Sequence, residues 1–202
     1  MAHNNKTWYE KAVFYHMYPL GMTGAPKQNI ETEAESRFGE LNLWIPHIKR
    51  LNCSAVYIGP LFESSTHGYD TRDYKLVDRR LGTNDDFRTF VRLCHEQEIR
   101  VVVDGVFNHT GRDFFAFRDI CENRESSPYR NWYRGVDFSR NSPMGDPYGY
   151  ESWHGIWELP CLNLYNQEVK NYLLDTVRFR VREFANAGLR PDRTHVLDFP
   201  FM

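Results

Sequence analysis

The sequence lacks an excess of charge of one sign and a long apolar run. Among its 202 residues, 25 Lys and Arg stand against 27 Asp and Glu, for a formal net charge of −2. This balance gives no excess of basic residues that would indicate nucleic acid or an anionic membrane as a partner. No apolar stretch approaches the roughly 18 residues of a membrane span, and the first six residues contain no apolar signal core. We expect a cytoplasmic protein that binds neither nucleic acid nor a membrane.

Cysteine is also scarce, and its spacing does not indicate a metal centre. The four cysteines are Cys53, Cys94, Cys121 and Cys161, and they form no CxxC pair and no His/Cys cluster with zinc spacing. Cys94 falls on the apolar face of a predicted helix, which favours buried free thiols. No GxGxxG or P-loop motif follows the first predicted strand, so a nucleotide-binding sheet is disfavoured and no organic cofactor is predicted.

What the sequence does contain is an alternation of predicted strands and helices. The strands are predicted near residues 12–18, 55–59, 99–104 and 188–192. The third is an unbroken apolar run, which is typical of a parallel strand buried on both faces. Such alternation favours an α/β fold in which the strands lie parallel in the order they occur. A doubly wound sheet and a (β/α)8 barrel both fit, although a closed barrel needs eight strands.

Three helices are predicted between the strands. Pro46 is tolerated only in a first turn, so the first helix is expected to begin near Leu43. Thr83 and Asn166 are the expected N-caps of the second and third helices. Gly188 is expected to end the third helix, whose apolar stripe is formed by Val169, Tyr172, Leu173, Val177, Val181 and Phe184.

Polar residues gather just past the ends of three predicted strands. They are His67, Tyr69 and Asp70 after the second strand, Asp104, Asn108 and His109 at the end of the third, and Arg190 and Asp192 on the fourth. Any one of them is more typical of a loop hydrogen bond. Because the carboxyl ends of parallel barrel strands form one face, their repetition over three strands predicts a site there.

Arg190 and Asp192 lie two residues apart on a predicted strand, so their side chains are expected to point to the same face. A guanidinium in that position would keep the carboxylate ionised at neutral pH, as a carboxylate nucleophile requires. A structural ion pair at a strand end is an equally good interpretation of these two residues alone.

Four blocks of the sequence, in matching order and spacing, resemble characteristic blocks of the α-amylase family of glycoside hydrolases. They are His67–Asp70, Asp104–His109, Trp157–Asn163 and Gly188–Asp192. The resemblance implies the first four strands of a (β/α)8 TIM barrel with an irregular insertion after the third strand. We expect residues 1–104 to begin the catalytic barrel, 105–162 to form a domain B-like insertion, and 163–202 to continue the barrel to its fourth strand.

The resemblance also implies a role for each matching residue. Asp192 matches the nucleophile, which forms a covalent glycosyl intermediate, and Arg190 matches the arginine that orients it. Tyr69 matches the aromatic residue under the reacting sugar, and His109 a histidine that bonds the same sugar. Asp104 matches an aspartate that supports the site.

Two further residues complete the implied site. His67 is expected among the substrate-binding residues. Asn108 matches an asparagine that ligates a structural calcium in many family members, and Asp137 or Asp146 of the insertion could add carboxylates to such a site.

The sequence departs from the family's pattern around the nucleophile and in the insertion. Pro191 stands where an aliphatic residue is usual, and it removes a donor from a strand expected to be central. Arg193-Thr194-His195 replaces small residues and an acid or amide, and His195 falls where some amylases have a substrate-binding lysine. Cys161 replaces the usual charged residue.

The implied activity is hydrolysis or transfer at α-glucosidic bonds of starch-derived maltodextrins by a retaining mechanism, with an α-glucan or maltooligosaccharide as substrate. The family places its acid/base Glu on the fifth strand, so a chain that stops at Met202 is expected to be a truncated catalytic domain and inactive alone. Glu151 and Glu158 are not predicted to replace that acid.

Two alternatives remain from the sequence. The chain could be a non-catalytic carbohydrate-binding protein that retains Tyr69, Trp153 and His109, or a degenerate α/β fragment whose motifs are unused. The open edges of a four-stranded half barrel also predict self-association, because exposed strand edges pair with other chains.

Overall fold

Four parallel strands form the central sheet of the protein. In the computed structural model, which describes residues 7–30, 33–186 and 188–192, these strands are β1 (Phe14–Met17), β2 (Ala55–Ile58), β3 (Arg100–Gly105) and β6 (Gly188–Pro191). They lie in the order β1-β2-β3-β6, each parallel to its neighbour. The predicted parallel sheet is confirmed, and within the described part of the chain it does not close into a barrel.

Helices and a small hairpin occupy the connections between these strands. The helices are α1 (Pro19–Met22), α2 (Phe38–Asn42), α3 (Ile45–Arg50), α4 (Asn84–Glu96), α5 (Phe115–Asn123) and α6 (Gln167–Phe184). An antiparallel hairpin, β4 (Ser152–Trp153) and β5 (Ile156–Pro160), lies between β3 and α6. Among the residues that the structure describes, no helix combines the length and apolarity needed to cross a bilayer.

Both predicted N-caps are confirmed. The hydroxyl of Thr83 accepts a hydrogen bond from the backbone N–H of Asp86, whose carboxylate accepts one in return from the N–H of Thr83. This reciprocal pair satisfies two donors that the start of α4 would otherwise leave unpaired. At the start of α6, the side chain of Asn166 accepts from the N–H of Glu168 at 2.8 Å.

Pro46 lies in the first turn of a helix as predicted, and that helix, α3, begins at Ile45, two residues after the expected start near Leu43. The turn before it forms a separate short helix, α2. The predicted end of α6 is wrong, since the helix ends at Phe184 and Ala185 adopts a left-handed conformation with φ 49°. Gly188 instead begins β6.

The buried stripe of α6 differs from the predicted one at three positions. Thr176 and Arg180 are buried, whereas Val181 is 48% exposed. The apolar pattern misplaced this face by part of a turn because two of its buried positions carry polar residues.

The main core lies between the sheet and its helices. Alternate strand residues face it, including the cross-strand row Met17, Ile58, Val103 and Leu189. Phe87, Phe90 and Cys94 of α4 and Phe184 of α6 pack against this row. Cys53 and Cys94 are buried free thiols as predicted, but Cys121 is exposed and Cys161 is half-buried.

A second core fills the region between β3 and α6. It is rich in aromatic residues, which include Tyr74, Phe107, Phe114, Phe117, Trp132, Tyr133, Tyr148 and Tyr150. Helix α5 lies here, in a stretch whose sequence shows no sustained period, and Phe117 and Ile120 are its buried contacts. The region between β3 and α6 therefore packs largely around its own tyrosine and phenylalanine side chains. The boundaries expected for this insertion stay a prediction.

Candidate functional site

The site begins with two carboxylates that share one arginine at the carboxyl edge of the sheet. Arg190 on β6 donates from Nη1 to Oδ1 of Asp192 at 2.7 Å. The same nitrogen lies 3.5 Å from Oδ1 of Asp104, the residue opposite Arg190 on β3. The Arg190–Asp192 pairing expected from their spacing is thus present. The side chain of Asp192 is 14% exposed, so it faces a partly open space.

The backbone of Asp192 is fixed from two directions. Its N–H donates to the carbonyl of Gly105 at 2.9 Å, and the amide of Asn108 donates to its carbonyl at 3.3 Å. Because N–H groups alternate in direction along a strand, the nitrogen of Pro191 points away from β3. Pro191 therefore removes no hydrogen bond from the β3–β6 ladder.

Asp104 is buried, with 2% of its surface exposed, and its carboxylate is held by more than Arg190. Its Oδ2 accepts from the hydroxyl of Tyr57 at 2.8 Å. Burial raises the pKa of Asp104, and the nearby Asp192 raises it further, whereas the bonds from Tyr57 and Arg190 lower it. The side chain packs over Gly59, where an added Cβ would lie 2.5 Å from the Cβ of Asp104.

The loop after β2 brings His67, Tyr69 and Asp70 to the same edge. Asp70 is buried and accepts from the hydroxyl of Thr66 at 2.7 Å. The ring of His67 is about half-exposed and lies 6.1 Å from that of Tyr69, centroid to centroid. Nδ1 of His67 accepts from the backbone N–H of Tyr69 at 3.1 Å. His67 and Tyr69 thus present partly exposed rings above a fixed loop.

The loop that carries Asp70 is also held by Arg80. Arg80, which is fully buried, donates to the carbonyls of Thr66 and Pro26 and pairs with Asp78. A guanidinium with five donors suits this use, because it can join several backbone carbonyls at once. These contacts tie the loop after β2 to the segment that follows α1.

His109 contacts the same loop from β3's side. Its Nε2 lies 3.1 Å from the carbonyl of Tyr69, which identifies this nitrogen as the protonated one when the ring is neutral. Its Nδ1 is buried and has no hydrogen-bond partner among the described residues. Burial lowers the pKa of His109 to about 4, so the ring is neutral at pH 7. The ring of Trp153 lies 5.3 Å away, centroid to centroid.

The structure therefore brings together the predicted site residues Tyr69, His109, Arg190 and Asp192, with His67 beside Tyr69 and Asn108 behind Asp192. Arg193, Thr194 and His195, the departures that follow Asp192, lie outside the described residues.

Sequence reasoning missed Tyr57 and Arg180. Tyr57 sits on β2 in register with Val102, on the face of the sheet that Asp104 shares, and this alternation is the signal that could have found it. Arg180 on α6 is fully buried and donates to the carbonyls of Tyr74 and Asp104, each at 3.0 Å. No apolar pattern could indicate a buried arginine.

The carboxylates expected to join Asn108 around calcium are engaged elsewhere. Both oxygens of Asp146 accept from Arg112, at 2.7 and 2.9 Å, and Asp137 lies 3.3 Å from Arg140. Within the described residues, no group of three His, Cys, Asp or Glu side chains is placed to hold a metal. In this structure Asp137 and Asp146 are therefore paired with arginine side chains. Calcium binding at Asn108 stays a prediction, and an unfolding midpoint that is equal with calcium and with a chelator would contradict it.

Comparisons with known proteins show the family of this chain. The family model "Alpha amylase, catalytic domain" matches residues 39–200. A cyclomaltodextrinase of Geobacillus thermopakistaniensis is 32% identical over 210 residues, which are 96% of this chain and 35% of that protein. A maltogenic alpha-amylase of Bacillus acidopullulyticus is 32% identical over 212 residues, with the same coverage of 96% and 35%.

A solved structure gives the same result for the fold. The cyclic alpha-maltosyl-(1→6)-maltose hydrolase from Arthrobacter globiformis, in complex with maltose, matches with a TM-score of 0.81 at 30% identity. The match covers 96% of this chain and 47% of that one. The chain spans about a third of the length of the curated relatives it matches. Because the catalytic-domain model matches most of the sequence and the likeness extends to the fold, the chain belongs to the α-amylase family of glycoside hydrolases.

Proposed function

We propose that this chain provides the nucleophile side of a retaining glycosidase site for α-glucosidic bonds of maltodextrins. The observation that carries the proposal is the carboxylate of Asp192, held by Arg190 at 2.7 Å beside the rings of Tyr69 and His109. The carboxylate of Asp192 is 14% exposed, so it faces the space where a sugar would lie. The names of the relatives, a cyclomaltodextrinase and a maltogenic amylase, support the substrate class.

Asp192 is the proposed nucleophile. Its carboxylate attacks the anomeric carbon, the bond to the leaving oxygen breaks, and a glycosyl ester forms on Asp192. Water then attacks the same carbon and releases the carboxylate, so that the anomeric configuration is retained. Arg190 orients the attacking carboxylate, and the bonds to Gly105 and Asn108 keep its backbone in place.

The sugar is proposed to lie against the ring of Tyr69, because an aromatic face suits the apolar face of a hexose. His109 contributes its unpaired Nδ1, which as a neutral ring nitrogen accepts a hydrogen bond from a sugar hydroxyl. His67 bounds the same space with a half-exposed ring. An acceptor buried without a protein partner is stabilised when a ligand supplies the donor.

A retaining mechanism also needs an acid, about 5 to 5.5 Å from the nucleophile. Asp104 does not suit this role, since it is buried and bonded to Tyr57 and Arg190. Glu151 is paired with Arg134 at 3.0 Å. We propose that the acid comes from the part of the catalytic domain that this chain does not cover. We therefore expect that the isolated chain does not hydrolyse starch measurably, since general acid catalysis typically contributes about 10²- to 10⁴-fold.

The test uses a substrate that needs no acid. In 5-fluoro-α-glucosyl fluoride the leaving group departs as fluoride without protonation, so the glycosyl ester can form on the nucleophile alone. We expect intact-protein mass spectrometry to show one covalent glycosyl adduct, and peptide mapping to locate it at Asp192. The Asp192→Asn variant should give no adduct. Asp175→Asn, which changes an exposed aspartate on α6, is the matched control and should label normally.

The outcomes separate the candidate functions. An adduct at another carboxylate, or none in the wild-type chain, would contradict the proposed nucleophile. In the second case, binding of maltotriose by the chain, detected by saturation-transfer NMR and lost in Tyr69→Ala, would favour the non-catalytic carbohydrate-binding alternative. No adduct and no binding would favour the fragment with unused motifs.

Self-association through the sheet edges is also proposed. In the described residues β1 and β6 each have one side without a neighbouring strand, and such edges pair with other chains. Light scattering after size-exclusion chromatography should show a mass above the 24.0 kDa of one chain that rises with concentration. A constant monomer would contradict it. The cytoplasmic location stays a prediction.

A further inference from the structure

The side chains of Tyr57, Arg190 and Arg180 all contact Asp104, and the first has no part in the proposed catalysis. We propose that Tyr57 is a positioning residue, whose hydroxyl fixes the Asp104 carboxylate so that Arg190 holds Asp192 in its attacking orientation. The link to Asp192 rests on the function proposed above, whereas the effect of Tyr57 on Asp104 does not.

The ring of Tyr57 is itself held on two sides. His16 of β1 stacks on it, with 4.5 Å between the ring centroids and 15° between the planes. The guanidinium of Arg190 lies 5.5 Å from the ring centroid, where it makes a cation–π contact. With the ring confined between β1 and β6, the hydroxyl donates to Oδ2 of Asp104 at 2.8 Å. The donor is thus presented from a fixed platform.

This contact divides the two oxygens of Asp104 between two partners. Oδ2 is taken by Tyr57, so Oδ1 is the oxygen that faces Arg190, at 3.5 Å. The same Arg190 nitrogen is 2.7 Å from Asp192, so the two carboxylates compete for one donor. Arg180 fixes the backbone of Asp104 through its carbonyl, and the shorter of the two contacts to the carboxylate itself is that from Tyr57.

Charge adds to the geometry. The groups that face the Asp104 carboxylate are Tyr57 from β2, Arg190 and Asp192 from the β6 side, and Tyr69 from the loop after β2. Burial and Asp192 raise its pKa, and the Tyr57 hydrogen bond is the first of the contributions that lower it. Burial raises the pKa of Tyr57 well above its ordinary value, so the phenol keeps its proton and remains a donor.

Removal of the hydroxyl should therefore change both the orientation and the charge of Asp104. A carboxyl group that is 2% exposed and has lost a donor is easier to protonate. Once neutral, it attracts Arg190 less, and the guanidinium is no longer held between the two carboxylates. Asp192 would then keep a partner whose position is no longer fixed.

The experiment is a pH titration of the 202-residue chain labelled with ¹³C at the aspartate carboxyl carbons. The Asp104 signal is assigned by its loss in Asp104→Asn. In Tyr57→Phe we expect the pKa of Asp104 to rise by about one unit. The matched control is Tyr15→Phe, because Tyr15 lies on the neighbouring strand but packs against Trp44 and His47 on the helix-facing side. The control should leave this pKa unchanged.

An unchanged Asp104 pKa in Tyr57→Phe would overturn the proposal. An equal rise in Tyr15→Phe would also overturn it, because general loosening of the sheet would then explain the shift. A second measurement follows Asp192: labelling by 5-fluoro-α-glucosyl fluoride should slow several-fold in Tyr57→Phe, with an unfolding midpoint near that of the wild type. If the wild-type chain does not label, the proposed function fails, and the titration still decides the effect of Tyr57 on Asp104.

Discussion

The two faces of the central sheet are built from alternate residues of the same four strands, yet they are chemically opposite. The helix-facing side carries Met17, Ile58 and Val103, all at 0% exposure. The other side carries His16 and Arg190, which are exposed, and the polar pair Tyr57 and Asp104. The first face is closed by packing, whereas the second is organised by hydrogen bonds and charge.

This difference shows how one sheet divides stability from function. Burial of apolar side chains supplies the larger free energy of folding, so the helix-facing side can hold the strands in register without help from the other. The polar side is then free to keep partly exposed charges. Arg180 is the exception, because from the helix side it reaches the carbonyl of Asp104 and joins the two faces.

The largest effect on stability is expected when a side chain of the apolar face is truncated. Ile58→Ala should lower the free energy of unfolding by about 2 to 5 kcal/mol, because it leaves a cavity among fully buried neighbours. His16→Ala, on the opposite face of the adjacent strand, should cost less than about 1 kcal/mol, since it is exposed. Urea denaturation of both variants measures the contrast. Equal losses would show that the two faces contribute alike.

A second contrast concerns the buried histidine of the polar side. Because the pKa of His109 falls from about 6.5 to about 4 on folding, the unfolded state binds the proton more readily. The stability from the neutral ring is complete above about pH 6.5 and is lost as the pH falls towards 4. The loss should be roughly 3 kcal/mol, since one pKa unit corresponds to about 1.4 kcal/mol.

The measurement is the free energy of unfolding across this pH range for the wild type and for His109→Gln. Glutamine does not titrate, so the difference between the two curves isolates the histidine from the carboxylates. Parallel curves would mean that His109 is not held neutral by the fold.

The smallest effect on stability is expected at Arg190. Its own side chain is 48% exposed, the buried Asp104 keeps its hydrogen bond from Tyr57 when Arg190 is replaced, and a partly exposed ion pair contributes about 0 to 1 kcal/mol. Arg190→Gln should therefore change the unfolding free energy at pH 7 by less than about 1 kcal/mol, while it slows covalent labelling of Asp192. A large loss of stability with unchanged labelling would contradict the view that the apolar face supplies stability and the polar face supplies function.

The parts of the structure that follow from a repeating pattern could be predicted. Parallel strands follow from apolar runs, and the helix starts at Thr83 and Asn166 follow from capping chemistry. The grouping of Tyr69, His109, Arg190 and Asp192 followed from the family's blocks and from their places after the strands.

The features that the sequence did not predict depend on contacts between residues far apart in the chain. Arg180 is buried because two carbonyls and the ring of Phe62, 3.4 Å from its guanidinium carbon, surround it. Nothing within α6 itself indicates those partners. Likewise Ala185 ends the helix in a left-handed conformation that glycine adopts more easily, so the sequence pattern indicates an end at Gly188 instead. Helix α5 was missed because its buried face is too short to establish a period.

The direction of the Pro191 nitrogen has a consequence for the outer side of β6. On that side, away from β3, the strand can offer the N–H of Leu189 but no donor from Pro191. If another strand paired there, its carbonyl opposite the N–H of Leu189 would accept a hydrogen bond. Its carbonyl opposite Pro191, two residues further on, would find no donor. Such an edge permits fewer pairing registers than a strand with every donor present. Each permitted register fixes where the incoming strand lies relative to Arg190 and Asp192. Pro191, next to the proposed nucleophile, thus limits the registers in which another strand can pair with this edge of the sheet.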